Sequence, residues 1–224
     1  MARGLFVTGT DTGVGKTVVA AALVRGLART GARVVGMKPV AAGGLLATPD
    51  GLVNEDVIAL RAAGNVDAPL AAVNPYVFEA PIAPHIGAAW AGVEISLDRI
   101  RDAHTALAAN ADAVVVEGAG GFLVPLSDTL SFSDVAVALG LPVVLVVGMR
   151  LGCLNHALLT REAILGRGLR LAGWVANRID PEMAAFDDNL ATLTARMQAP
   201  RLAVVPHLAV MEALSVTIDW PPDD

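Results

Sequence analysis

Leu5-Phe6-Val7-Thr8-Gly9-Thr10-Asp11-Thr12-Gly13-Val14-Gly15-Lys16-Thr17 is the stretch from which the rest of the chain can be read. A short apolar run breaks into a glycine-rich turn. The turn ends in Gly-Lys-Thr and opens onto an apolar, helix-like segment, Val18 to Leu27. Strand, phosphate loop and helix in this order form a nucleoside-triphosphate site. Gly13 and Gly15 let backbone N–H groups face a phosphate with no Cβ in the way. A helix starting near Lys16 adds unpaired N–H groups and the positive end of its dipole. Lys16 can reach the outer phosphates, and the Thr17 hydroxyl can ligate Mg²⁺. The strict spacing G-x-x-x-x-G-K-[ST] would place a glycine where Thr10 stands, and Gly9 lies one residue earlier.

Outward from this loop, apolar strands alternate with helical segments. Leu5–Val7 reads as a buried strand and residues 17–29 as a helix stopped by Gly31. Arg33–Met37 is a second strand, ending at Lys38-Pro39. Residues 41–52, with Gly43, Gly44, Pro49 and Gly51, read as a loop, and a helix runs from about Asn54 to Ala63. Pro69–Pro84, with its prolines, reads as an ordered loop without regular structure. Leu97–Asn110 has helical spacing, and Ala113–Val116 is an apolar strand ended by Glu117-Gly118-Ala119-Gly120-Gly121. Ser133–Leu139 follows as a helix capped by Ser131 or Ser133. Pro142–Val147 is a strand, 155–165 a helix, Leu171–Ala176 a strand ending at Asn177, 184–197 a helix, and Leu202–Val205 a last strand. Continuous apolar strands between helices indicate an α/β fold, a mostly parallel sheet with helices on both faces. No repeat or linker interrupts it, so one domain over 1–224 is expected. In such sheets ligands sit beyond the carboxyl ends of the strands. The 9–17 loop, Lys38, Glu117 and Asn177 should therefore meet on one rim.

The composition narrows the function. With 54% hydrophobic and 17% charged residues, disorder is not expected. A net charge of −6 speaks against nucleic acid as the main partner. Cys153 is the only cysteine, so no intrachain disulfide can form, which fits a reducing compartment. No signal peptide or membrane span is expected from the apolar runs. The expectation is a soluble cytoplasmic protein.

Several residues have two readings. Glu117, at the end of a buried strand, is either a second Mg²⁺ ligand beside Thr17 or a carboxylate capping backbone N–H groups. Lys38 is either a fixed positive charge beside the phosphates or a solvated lysine. Asp56 near a helix start reads locally as an acid favoured by the dipole. Asn177 either pairs with a base edge or serves a turn. Asn155-His156, at a helix start after Gly152, either meets an anion or simply caps. The four histidines lack zinc-ligand spacing.

With these residues in hand, the chain resembles the dethiobiotin synthase family. The resemblance rests on Val7–Thr12, Val14–Thr17, Met37–Val40, Val73–Tyr76, Pro84–Ile86, Val116–Gly121, Pro125–Asp128, Leu151–His156 and Ala172–Asn177. They span nearly the whole chain. The resemblance implies a P-loop NTPase-like fold and a homodimer with the substrate site at the interface. It also implies that 7,8-diaminononanoate, CO₂ and ATP give dethiobiotin, ADP and phosphate, with Mg²⁺ required. By position it makes Lys38, Lys16 and Thr12 catalytic, and Thr17, Asp56 and Glu117 metal ligands, reversing the local reading of Asp56. Nucleotide binding falls to Gly13, Val14, Gly15, Lys16, Thr17, Asp56, Glu117, Gly118, Ala119 and Gly120. On the adenine side it falls to Asn177, Arg178, Pro206, His207 and Leu208. Substrate binding falls to Lys38, Ala42 and the partner's copy of Gly152, Cys153, Leu154 and Asn155. Ala42 stands where many members carry a serine; losing that hydroxyl removes a hydrogen bond worth roughly 0.5–1.5 kcal/mol.

Two other classes compete. A partition or positioning ATPase would share the loop but usually carries a second lysine early in it, where this chain has Asp11. A cobalamin-type amidotransferase would need a further glutaminase domain.

Overall fold

In the computed structural model, which describes residues 2–49, 51–207 and 216–222, the buried residues of the central strands alternate between two apolar layers. Leu5 and Val7 face one layer and Phe6 the other; Ala113 and Val115 oppose Val114 and Val116; Val144 and Val146 oppose Val143, Leu145 and Val147. That period of two is what a strand imposes, and apolar residues on both phases mean that both faces are covered.

The central strands are β1 (Arg3–Gly9) and β2 (Val34–Met37), with the smaller β3 (Val40–Ala42), β4 (Leu45–Thr48), β5 (Gly51–Asn54) and β6 (Tyr76–Phe78) inserted before β7 (Ala113–Gly121), β8 (Val143–Gly148), β9 (Leu171–Asn177) and β10 (Arg201–Val205). The helices are α1 (Lys16–Ala28), α2 (Glu55–Ala63), α3 (Leu70–Val73), α4 (Pro84–Trp90), α5 (Leu97–Ala108), α6 (Phe132–Leu139), α7 (Cys153–Gly166) and α8 (Phe186–Arg196). Six strands form one sheet in the order β10-β9-β8-β1-β7-β2, every pairing parallel. α1 contributes Val19 to Val24 to one layer; α5, α6, α7 and α8 contribute to the other. Gly36 on β2 lets α2 approach, because a Cβ there would lie 2.8 Å from that of Leu60. No described helix is long and apolar enough to cross a membrane.

Three stretches depart from the sequence reading. Within 41–52 the loop is in part regular: β3 ends at Ala42, and β4 and β5 make an antiparallel pair with Leu46 opposite Val53. Leu46 and Leu52 are both exposed and only Val53 and Asn54 at the end of the pair are buried, so no alternation shows and the surrounding glycines and proline dominate the reading. Pro69–Pro84 holds α3 and β6, and α4 begins at Pro84 with the proline at its first turn. β7 does not stop at Val116 but continues through Glu117 to Gly121. β1 pairs with the run at both ends, Val7 with Glu117 and Gly9 with Gly121, and the register irregularity between them coincides with Gly120 at φ 62°.

α6 shows how locally its start is encoded. Ser131 caps it, and the Ser131 N–H and hydroxyl both donate to Asp134 Oδ2 at 2.7 Å. Arg167 donates to the other oxygen at 2.7 Å. Partial burial opposes the charge of Asp134, but these bonds outweigh it and hold its carboxyl below the ordinary aspartate value. A carboxylate depressed on folding stabilises fully above its unfolded pKa, and the stabilisation is lost as pH falls through the lower folded value. Asp134→Asn therefore lowers stability by about 1 kcal/mol at pH 7. The difference from the parent closes as the pH drops below about 4, read as urea midpoints at both pH values.

Candidate active site

The phosphate loop follows from the parallel sheet. β1 ends at Gly9 in the centre of the sheet, and the chain turns through residues 10–15 into α1. Gly15 is the N-cap of α1 with φ 85°, and no side chain caps the helix, so its first N–H groups remain for a ligand. A Cβ at Gly15 would fall 2.1 Å from Asn177 Nδ2. Asn177, at the end of β9, donates that nitrogen to the Val14 carbonyl at 2.8 Å. The Asn177 amide thus braces the loop from beneath. Lys16 is nearly buried and donates to the Asp11 carbonyl at 2.9 Å. Burial first, and the charge of Lys38 second, lower its pKa to about 8, partly offset by Glu117, Asp56 and Asp11.

Beside the loop lies a cluster of charges from four separate segments. Thr17 is the second residue of α1, and its hydroxyl lies 2.6 Å from Asp56 Oδ1 and 2.9 Å from Glu117 Oε1. Its one proton serves one carboxylate at a time. Lys38, just after β2, reaches Glu117 Oε1 at 2.6 Å, Asp56 Oδ2 at 2.8 Å and the Gly118 carbonyl at 3.1 Å, which uses all three ammonium protons. Its backbone is clamped on both sides: the Lys38 N–H donates to Val73 O at 2.8 Å, and Asn74 Nδ2 donates to the Lys38 carbonyl at 2.6 Å. Burial opposes the charge on Lys38, but the Glu117 and Asp56 carboxylates together hold its pKa above the ordinary lysine value. Asp56 is likewise opposed by burial, yet Lys38, Thr17 and Lys16 hold it below the ordinary range. Glu117 is fully buried, and burial pushes its pKa up beyond what Lys38 returns.

Asp56 resolves one sequence ambiguity. Asn54, not Asp56, caps α2: its Oδ1 accepts from the N–H groups of Asp56 and Val57 at 3.0 and 3.4 Å. The Asp56 carboxylate is thereby free to turn toward Thr17 and Lys38. Glu117 is not a cap either, since its partners are Thr17 and Lys38 and its Oε2 is buried with no hydrogen-bond partner. Two carboxylates and a hydroxyl, one carboxylate oxygen orphaned, form a hard-oxygen set suited to Mg²⁺, which takes its remaining ligands from phosphate and water.

Thr12, Gly13, Gly15, Lys16, Thr17, Lys38, Ala42, Asp56, Glu117, Ala119 and Gly120 line one cleft of about 740 Å³. Gly118 contributes its carbonyl to Lys38, and Val14 is buried with its carbonyl on Asn177. Arg178, Pro206 and His207 lie off the cleft, beyond Asn177. Arg178 donates to the Pro181 carbonyl at 2.8 Å and packs against Phe186, and His207 Nδ1 lies 3.3 Å from the Arg178 carbonyl. Leu208 falls outside the described residues. Gly152, Cys153, Leu154 and Asn155 do not line the cleft; Gly152 is the N-cap of α7, with φ 94° and no side-chain cap. Sequence reasoning gave no role to Asn74, although Asn-Pro after an apolar segment marks a turn that needs a side-chain partner. It also missed the Asp11–Arg150 ion pair, 2.5 Å, which ties the phosphate loop to the turn before α7.

A parallel sheet with a phosphate loop after its central strand, and a lysine–carboxylate–threonine cluster beside it, defines a P-loop nucleotide-binding protein. Solved structures agree on the fold. A ParA family ATPase from Chlorobium tepidum matches with TM-score 0.56 at 14% identity, covering 96% of this chain and 89% of that one. The septum site-determining protein MinD complexed with Mg-ADP from Pyrococcus horikoshii matches with TM-score 0.55 at 17% identity, covering 96% and 85%. A family model described as an AAA domain matches residues 3–215. ATP-dependent dethiobiotin synthetase of Ralstonia nicotianae is 57% identical over 91% of this chain and 88% of its own length. That of Aromatoleum aromaticum is 56% identical over 92% of each. The chain belongs to the dethiobiotin synthetase family.

Two outcomes follow from the electrostatics. Removing Lys38 leaves Glu117 buried without its counter-charge, so Lys38→Met lowers stability by about 3 kcal/mol without metal. Added Mg²⁺ and ADP recover most of the loss, measured as melting temperatures with and without ligand. For Lys16, the cation is the form that holds phosphate, and a bound phosphate raises its pKa. Nucleotide binding then takes up a proton above about pH 8 and weakens as pH rises further, by at most tenfold per unit, which titration calorimetry in buffers of different ionisation heat measures.

Proposed function

We propose that this chain, an ATP-dependent ligase, carboxylates 7,8-diaminononanoate with CO₂ and closes the product to dethiobiotin with release of ADP and phosphate, as a step of biotin synthesis in the cytoplasm. The observation that carries the reading is the joining of the Lys38–Glu117–Asp56–Thr17 cluster to the phosphate loop in one cleft, with room and an apolar wall for a second substrate.

The chemistry proceeds in three stages. One substrate amine adds to CO₂ and loses a proton, giving a carbamate. A carbamate oxygen attacks the γ-phosphorus of ATP, the bond to the β-phosphate oxygen breaks, and a mixed anhydride forms. The second amine attacks the carbonyl carbon, loses its proton and expels phosphate, closing the cyclic urea. The second stage brings two anions together, carbamate and γ-phosphate, so the residues assigned to it are cations and donors. Lys16 and the N–H groups from Gly13 to Thr17 hold the outer phosphates. Lys38 faces the oxygens between carbamate and γ-phosphate. Thr12, across from Gly120, orients the carbamate. Mg²⁺, when held by Thr17, Asp56 and Glu117, neutralises phosphate charge. Ala42 offers no hydroxyl to the substrate. Gly152 to Asn155 lie off the cleft in their own subunit, and the family resemblance assigns them to the partner's site in a homodimer, where they meet the substrate carboxylate.

The partition ATPase reading shares the fold, but Asp11 stands in the place of its second loop lysine and pairs with Arg150. Identity of 55–57% to dethiobiotin synthetases over about nine-tenths of the chain favours the ligase.

The test is ADP release with Mg²⁺ and bicarbonate, with and without the diamine, alongside the product mass. Diamine-dependent ADP release and a cyclic urea are expected; ATP turnover indifferent to the diamine sinks the assignment. In the same assay, Lys38→Met at saturating Mg²⁺ lowers kcat by about 10²–10³ and leaves the KM for ATP within a few-fold.

A further inference from the structure

Three carboxylates line the cleft, and two of them are committed. Asp56 and Glu117 are tied to Lys38 and Thr17. Glu55 is exposed on the cleft wall, and its carboxylate makes no hydrogen bond or ion pair with another described residue. Its position is nonetheless fixed. The Glu55 N–H donates to the Gly44 carbonyl at 2.8 Å, and the side chain folds over that glycine: a Cβ at Gly44 would lie 3.0 Å from Glu55 Oε1. Gly44 has φ +58°. Glycine at 44 thus accommodates both the turn and the carboxylate.

A cleft that gathers phosphates is a poor place for an idle anion, because like charges a few ångströms apart repel. A cation brought by a ligand is the natural partner for Glu55, since none of the described residues supplies one. Lys38 spends its three protons elsewhere, Lys16 is bonded to the loop, and no arginine lines the cleft. Ala42, Pro81, Ile82 and Ala83 line the same cleft, an apolar set suited to an alkyl chain, and Pro81 packs on Gly43 beside the Gly44 that Glu55 covers. A carboxylate beside such a set matches an alkylammonium.

We propose that Glu55 is a specificity-determining residue that receives the ammonium end of the amine substrate, selecting a diamine over an uncharged or singly aminated analogue. This rests on the diamine reading above. Once one amine has become an anionic carbamate turned toward Lys38, its vicinal neighbour stays protonated until ring closure, and Glu55 is the group that holds it. As a first-turn acid Glu55 also favours the dipole of α2, but that role acts on stability and leaves substrate KM unchanged.

The experiment compares the parent with Glu55→Gln and Glu55→Asp in the diamine-dependent ADP assay, with melting temperatures to confirm folding. Expected for Glu55→Gln is a diamine KM raised about fivefold, with the KM for ATP unmoved. The gap should narrow in 0.5 M salt, because the pair is exposed and screened. Glu55→Asp should recover part of the loss. A diamine KM unchanged in Glu55→Gln, beside a parent that makes the cyclic urea, overturns the role of Glu55 alone. So does a change confined to the Mg²⁺ requirement, which would make Glu55 a metal-side group. A parent without diamine-dependent ADP release overturns the functional reading, and this inference with it.

Discussion

The buried ammonium of Lys38 is the constraint around which this cleft is arranged. A lysine without solvent would ordinarily give up its proton, yet two carboxylates and a carbonyl close around it within 2.6 to 3.1 Å. The same three contacts place both carboxylates beside the Thr17 hydroxyl. The ammonium therefore holds open an oxygen-rich pocket that would otherwise collapse or protonate. Mg²⁺ held by Thr17, Asp56 and Glu117 would draw on the carboxylate oxygens that Lys38 now occupies, and would there supply charge neutralisation in place of the ammonium.

Strand order and register explain why residues so far apart in sequence meet there. β1, β7 and β2 are neighbours, and their ends carry the phosphate loop, Glu117 and Lys38 respectively. Glu117 pairs with Val7, and Val116 pairs with Met37, so Lys38 leaves its strand at the level where Glu117 points out of the next. A slip of one residue in either pairing would turn Glu117 into an apolar layer. α2, packed on the glycine-thinned face of β2, then brings Asp56 in from the side.

The sequence made legible whatever depends on local pattern: the phosphate loop, the apolar strands of the main sheet, the parallel arrangement and the helix starts at 16 and 132. It left open whatever depends on neighbours. Asp56 read locally as a first-turn acid favoured by the helix dipole; Asn54 caps the N–H groups there, and the Asp56 carboxylate turns to Thr17 and Lys38. The resemblance to the family, rather than the local pattern, supplied its role. Asn74 was invisible because its partner, the Lys38 carbonyl, lies 36 residues away. The β4–β5 pair was read as loop because neither of its faces is buried enough to impress an alternation on the residues.

The phosphate loop joins the two halves of the sheet, and each half holds a different part of it. Its backbone belongs to the β8–β9 side. Asn177 holds the Val14 carbonyl, the Thr10 N–H donates to Val146, and Asp11 pairs with Arg150 after β8. The Val14 side chain presses against Gly148, where a Cβ would meet it at 2.7 Å. Its last side chains belong to the β7–β2 side, where Thr17 meets Glu117 and Asp56. The backbone that cradles phosphate is thus fixed by one set of strands, while the charges that act on phosphate are fixed by the other. Neither set can shift without dragging the loop against its opposite anchor. That division holds the loop backbone in register with Lys38 across a cleft of about 740 Å³.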